Sequence, residues 1–305
     1  MCEKPFIEMC KSLRKEGIKI IVDHDDNMFE VSPLSNHYKE CGCEETKIKT
    51  KDGMVINLWE DGKNIDIKKN RERIDNFKKA LEVADMVTVT TDILAGIYKE
   101  YNDNINVLPN CVDIKLWQKL PLKPHEGVRM GWFGGSSHYE DWTLMEDVLP
   151  DVMKKYPQLI LVIMGQMFEG TLRDIPEDRI EFHNWVPTPA YPYKSAILDL
   201  DFSIIPLRDN KFNHCKSSIK WIEQGALGCP AVTSYVSPYK EIATEENGIF
   251  IEDNDPLAWK EGIGTMIEDK LARSGYGLHA YQTAREFDIE NKYILWREAY
   301  ESLQN

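Results

Sequence analysis

Apolar residues along this chain alternate between two rhythms, a helical stripe recurring every three or four positions and short uninterrupted runs of strand length. In residues 5–16, Phe6, Met9, Cys10 and Leu13 share one helical stripe, Pro5 suits a first turn and Gly17 ends the segment. Ile18–Val22 reads as an apolar strand that stops where acidic residues begin. Lys47–Trp59 alternates around Asp52-Gly53, a hairpin signal. A helix is expected over 68–83, with Ile74, Phe77 and Leu81 at core spacing, followed by a strand at Met86–Val89. From Val128 onward the alternation is regular. Strands are expected at 128–133, 159–164, 180–183, 201–205, 230–234 and 248–251, with helices between most of them and a last helix over 289–304 carrying Ile289, Trp296 and Tyr300.

This succession predicts an α/β protein built from parallel sheets. The Pro- and Lys-containing run 120–127 reads as a linker. It separates an amino-terminal α/β domain (1–119, with the inserted hairpin 47–59) from a doubly wound, Rossmann-like domain (128–288). The helix 289–305 is expected to return to the first domain. No internal repeat or low-complexity tract is present.

Composition narrows the classes. The chain has 305 residues, 42% hydrophobic and 29% charged, as in a folded globular enzyme. The net charge of −14 disfavours a whole-protein attraction to nucleic acid or anionic lipid. No apolar run reaches the roughly 18 residues of a membrane span, and Glu3, Lys4 and Glu8 interrupt any signal-peptide core. Seven scattered cysteines form no disulfide framework, and a cytoplasmic location is expected. Cys41-Gly42-Cys43 lacks a second Cys/His pair at zinc spacing and reads as turn residues.

The run from Phe212 to Ser234, FNHCKSSIKWIEQGALGCPAVTS, concentrates the candidate chemistry. Lys216, Lys220 and Glu223 stand at i, i+4 and i+7, one face of a helix, although charges so spaced also suit a merely solvated face. Ser217 and Ser218 fall at the expected helix start, where free N–H groups and the helix dipole attract phosphate. A diphosphate held at that end, with Glu223 deeper accepting from sugar hydroxyls, describes a nucleotide-sugar site. Gly134-Gly135-Ser136-Ser137, directly after a strand, lets backbone approach phosphate or simply turns the chain; it is neither a P-loop nor GxGxxG.

These segments resemble the donor-binding signature of GT-B-fold glycosyltransferases, family-four-like (glycosyl transferases group 1). The correspondence rests on Lys216, Ser217, Lys220 and Glu223, followed by Ala226, Gly228, Pro230 and Ser234. Val22–Asp26, Ala84–Thr91, Leu108–Asp113, Gly131–Trp142, Asn184–Pro187 and Asn247–Asp253 line up as well. The resemblance implies a metal-independent, retaining sugar transfer from a UDP- or GDP-sugar, with no cofactor. The acceptor would be a glycan, a lipid-linked sugar, a protein or modified DNA. It implies that Lys216 stabilises the departing diphosphate with Ser217 and Ser218, that Glu223 binds ribose, and that Trp185 and Val186 hold the base, a core tryptophan being the alternative. Gly134, Gly135, Ser136, Asn213 and Lys220 complete the donor contacts, and Asp25 orients or deprotonates the acceptor unless it serves only as a turn residue.

Three departures stand out. Cys215 occupies the place of the first glutamate of an E-x7-E pair, and no Arg or Lys occurs between Trp132 and Trp142, which puts the burden of the diphosphate on Lys211, Lys216 and Lys220 and leaves His138 as a minor donor. Only two core strands plus the hairpin are read before residue 110. An incomplete first domain is therefore expected: a fragment, a naturally short enzyme, or a chain completed by a partner chain. Competing readings are a non-catalytic sugar-nucleotide-binding subunit, a GT-B-fold epimerase, or a metal-dependent GT-A-type transferase using Asp23 and Asp25.

Overall fold

The computed structural model describes residues 4–50 and 52–304. By its internal contacts the chain divides into two units, residues 1–109 with 214–216 and 294–305, and residues 110–213 with 217–293. The boundary thus falls after Pro109, and the expected linker 120–127 belongs to the second unit.

The first unit contains strands β1 (Ile21–His24), β2 (Thr46–Lys49), β3 (Val55–Trp59), β4 (Met86–Val89) and β5 (Ile105–Val107). Strands β2 and β3 form the expected hairpin, and the other three make a parallel sheet in the order β1-β4-β5. Strand β5 was absent from the sequence expectation. β1 also begins three residues later and ends two later than the expected Ile18–Val22. The Ile20 N–H donates to the Asp85 carboxylate at 2.8 Å, and ladder pairing begins at Ile21 opposite Met86. The ladder then continues through Asp23 and His24, with the Thr88 hydroxyl donating to Asp23. Helix Ile67–Val83 is started by Asp66, whose carboxylate accepts the Lys69 N–H. It buries Phe77 and Leu81 against Val87, Leu94 and Tyr98, while Leu295, Trp296 and Ala299 cover Met86 and Leu108.

The second unit holds β6 (Val128–Gly134), β7 (Leu159–Gly165), β8 (Ile180–His183), β9 (Phe202–Ile205), β10 (Ala231–Ser234) and β11 (Ile249–Ile251), all parallel. Their order is β11-β10-β9-β6-β7-β8. Strands β6, β7 and β8 advance one way, then β9 returns beside β6 and the sheet grows in the opposite direction. The carboxyl ends of β6 and β9 therefore flank a topological switch point, where open α/β sheets bind ligands. Apolar clusters cover both faces of the sheet, one around Trp142, Phe202 and Trp259, the other around Ile205, Trp221 and Ala280.

Helix Ile219–Ala226, which follows β9, packs on helix Lys270–Glu286 through small residues. A side chain at Gly225 would stand 2.8 Å from the Ala280 carbonyl, and one at Gly277 would overlap the Gly228 carbonyl. Gly277→Ala is expected to cost about 1–3 kcal/mol in urea unfolding, because backbone cannot yield as a side chain can. Gly275, with open space at its Cβ position, should tolerate alanine without loss.

Candidate active site

The loops after β6 and β9 meet around one buried carboxylate. Asp141 is only 3% exposed. It accepts from His138 Nδ1 at 2.8 Å, from the Arg208 N–H at 2.8 Å and from Asn213 Nδ2 at 2.7 Å. Burial pushes its carboxyl up, but the His138 hydrogen bond and charge, the Arg208 N–H and the Lys220 ammonium outweigh that and hold it below the ordinary carboxylate value. The Arg208 guanidinium is folded onto the Glu140 carbonyl and the Thr143 hydroxyl. Asn213, expected to touch the donor, instead spends its amide on Asp141 and on the Arg208 carbonyl at 2.9 Å.

Helix Ile219–Ala226 starts one residue after the expected place. Ser218 is its N-cap residue, without a side-chain capping bond, and the Trp221 and Ile222 N–H groups reach its carbonyl. Ser217 accepts from Asn110 Nδ2 at 2.8 Å, which gives the Leu108–Asp113 motif a bracing function that sequence reasoning missed. Lys220 lies one residue into the helix, with its ammonium 5.8 Å from the centre of the Trp132 ring. A small cavity lined by Trp132, Tyr191, Ser203, Lys220, Glu223 and Gln224 opens beside it. Glu223 accepts from the Tyr191 hydroxyl at 3.1 Å. Burial pushes its carboxyl up to about 7, against the opposing Tyr191 hydrogen bond and Lys220 charge. The Ser203 hydroxyl and the Gln224 amide oxygen have no protein partner among the described residues, which keeps the cavity polar.

Lys216 does not share the helix face of Lys220 and Glu223. Its segment, His214–Lys216, is grouped with the first unit because Cys215 is fully buried there among Phe77, Leu94 and Tyr98, with its carbonyl accepting from the Thr91 hydroxyl. That anchor separates the short helix Lys211–His214 from the helix beginning at Ile219. The Lys216 ammonium lies 3.5 Å from Asp26 Oδ1. The carboxylate beside this lysine is therefore Asp26, whereas Asp25, singled out in the sequence, is exposed. The Asp26 carbonyl in turn accepts from Tyr98 at 2.7 Å.

Gly134 ends β6 and its carbonyl accepts the Gln166 N–H. Gly135 has open space at its Cβ position, and Ser136 opens a single helical turn. Gly165, with φ of 111°, has no room for a side chain against the Trp185 ring. Trp185 is 48% exposed and stands 5.6 Å from Tyr191, so the alternative of a core tryptophan is overturned. Val186 beside it is half-buried.

Residues 127–269 match the family model of the glycosyl transferases group 1. The resemblance read from the sequence is borne out there, and the fold is GT-B-like. HepE from Anabaena, solved with UDP and glucose, superposes with a TM-score of 0.64 at 13% identity, covering 99% of this chain and 76% of HepE. Sucrose-phosphate synthase from Thermosynechococcus elongatus gives 0.59 at 20% identity, covering 76% of this chain, and TarM gives 0.58 at 17%, covering 79%. The present chain spans 62% of the synthase and 47% of TarM. No curated protein matches it in sequence. Among the described residues no helix is long and apolar enough to cross a membrane.

Proposed function

We propose that this group 1 glycosyl transferase fold moves a sugar from a UDP- or GDP-sugar to an acceptor hydroxyl, with retention and without a metal ion. The observation that carries this reading is the meeting of Glu223 and Lys220 with Trp132 of β6 and Ser203 of β9 in one cavity beside the β6/β9 switch point. In the reaction the bond from the anomeric carbon to the diphosphate breaks, and its electron pair leaves on the phosphate oxygen. The acceptor oxygen bonds to that carbon and gives up its proton to the Asp25 carboxylate. Lys220 and the N–H groups entering helix Ile219–Ala226 stabilise the departing charge. Glu223 accepts from ribose, and exposed Trp185 with Val186 flanks the base. HepE was solved with UDP-glucose, which favours a uridine donor. In the first unit Asp26, held by Lys216, joins Asp25 as a proposed acceptor partner.

A thermal-shift screen against UDP- and GDP-sugars in the presence of chelator, followed by NMR of the product anomer, tests this reading. Lack of any shift would remove it, and a shift that needs divalent metal would favour the Asp23/Asp25 alternative. A donor-binding subunit without catalysis, suggested by the three-stranded sheet of the first unit, predicts a shift with neither hydrolysis nor transfer.

Glu223 gives the site a pH dependence of definite sign. Sugar hydroxyls donate to the ionised carboxylate, so donor affinity should fall about tenfold per pH unit below the titration point near 7. Stability runs the other way. The folded carboxyl titrates at about 7 against 4.5 when unperturbed, so folding binds a proton between those values and stability falls as pH rises through that window. Glu223→Gln is expected to match the wild-type melting temperature near pH 5 and exceed it by roughly 5 °C at pH 8, while binding donor more weakly.

A further inference from the structure

We propose that Tyr191 is a positioning residue of the donor site, whose hydroxyl aims the Glu223 carboxylate at the ribose while its ring backs Trp185 at the base. The inference rests on the nucleotide-sugar reading above and deepens it: one side chain sets the two grips on a nucleoside relative to each other. Tyr191 opens helix Tyr191–Ile197, at the far end of the loop that leaves the carboxyl end of β8 and carries Trp185. Glu223 lies on helix Ile219–Ala226, which follows β9. Strands β6 and β7 stand between β9 and β8 in the sheet, so the Tyr191–Glu223 bond ties together two segments that no ladder joins.

The Tyr191 hydroxyl donates to Glu223 Oε2 at 3.1 Å, and both residues line the cavity that also holds Trp132, Ser203 and Lys220. The phenol ring packs on two indoles, 5.6 Å from Trp185 and 5.3 Å from Trp117, the latter edge to face. Its seat fixes the direction of the hydroxyl. Burial and the Glu223 charge hold the phenol well above its ordinary value, so it stays protonated and can donate. With Oε2 so held, the carboxylate is ordered before a sugar nucleotide arrives, and binding does not have to order it. A phenylalanine would fill the same space against the indoles; the hydroxyl adds the contact with Glu223.

The bond has an electrostatic consequence as well. Burial raises the Glu223 carboxyl, and the Tyr191 hydroxyl opposes it more than the Lys220 ammonium does. Tyr239 is the other titratable group that bears on Glu223, and burial keeps its phenol neutral. Loss of the Tyr191 hydroxyl therefore moves the titration of Glu223 to higher pH. Near neutrality fewer molecules then carry the ionised carboxylate that accepts from ribose.

The experiment compares UDP with its dideoxyribose analogue by calorimetry in the full chain across pH 6–9. Wild type is expected to prefer UDP. Tyr191→Phe, which keeps the ring against the indoles, should weaken UDP about fivefold or more near pH 7, leave the analogue within about twofold, and recover part of the loss at pH 9 as Glu223 ionises. Tyr191→Leu should weaken both ligands, because Trp185 loses the ring it packs on. In the Glu223→Gln background Tyr191→Phe should leave the pH profile where it was. Melting curves separate these effects from loss of folding. Equal losses for the two ligands in Tyr191→Phe, an unmoved pH profile, or a shift that persists in the Glu223→Gln background would overturn the proposal. A wild-type protein that binds no UDP would instead overturn the nucleotide-sugar reading beneath it, and one that binds UDP and the analogue alike would overturn the ribose role of Glu223.

Discussion

Lys220→Ala is expected to cut turnover of the sugar nucleotide by about 100-fold, the loss of some 3 kcal/mol that follows removal of one preorganised contact to developing charge. The lysine is placed for it. It enters from the first turn of helix Ile219–Ala226, its ammonium lies over the Trp132 ring and its charge bears on both Asp141 and Glu223. The same substitution carries a second signature. Lys220 now lowers the Glu223 carboxyl against the effect of burial, so its removal should move the titration of donor binding to higher pH. Lys220→Arg should keep the pH profile and most of the rate. Steady-state kinetics across pH 6–9 would read both effects, and an alanine variant within threefold of wild type would remove Lys220 from the chemistry.

The largest expected effect on stability belongs to Trp259. Fully buried on helix Pro256–Glu268, it packs in the cluster that contains Val232, Ile251 and Ile263. Trp259→Ala should cost about 3–5 kcal/mol, the lost burial plus the cavity left behind. The indole N–H also reaches Asn254 Oδ1 at 3.4 Å, and Asn254 Nδ2 donates to the Leu207 carbonyl at 3.0 Å. Leu207 precedes the residue whose N–H holds Asp141, so the truncation should also loosen the β9 loop and weaken UDP binding. Urea unfolding followed by far-UV circular dichroism gives the first quantity and calorimetry the second. Leu257→Ala, exposed on the same helix, should change stability by less than about 0.5 kcal/mol. Comparable losses in the two variants would place the weight of this core elsewhere.

Both predictions depend on residues of unequal legibility. Lys220 and Glu223 could be named from their spacing, and the exposed Trp185 from its place after a strand. His138 was only a minor candidate, and the bonds from Asn213 and the Arg208 N–H to Asp141 went unread, because they join segments some seventy residues apart in sequence.

Local pattern determined the elements: a run such as Leu159–Met164 buries both faces of a central strand whatever its neighbours, and Asp52-Gly53 turns a hairpin wherever it stands. Sequence order alone therefore carried the six strands of the second unit and the class of fold. Strand β5 escaped because three half-buried residues make no periodic signal without β4 beside them. Lys216 parted from Lys220 because the burial of Cys215 is a long-range packing event that helical spacing cannot register. The elements come from each segment's own hydrophobic period, whereas the meeting of the Arg208 N–H and Asn213 with Asp141 follows from which loops the sheet order brings to one edge, and that of Lys216 with Asp26 from the burial of Cys215.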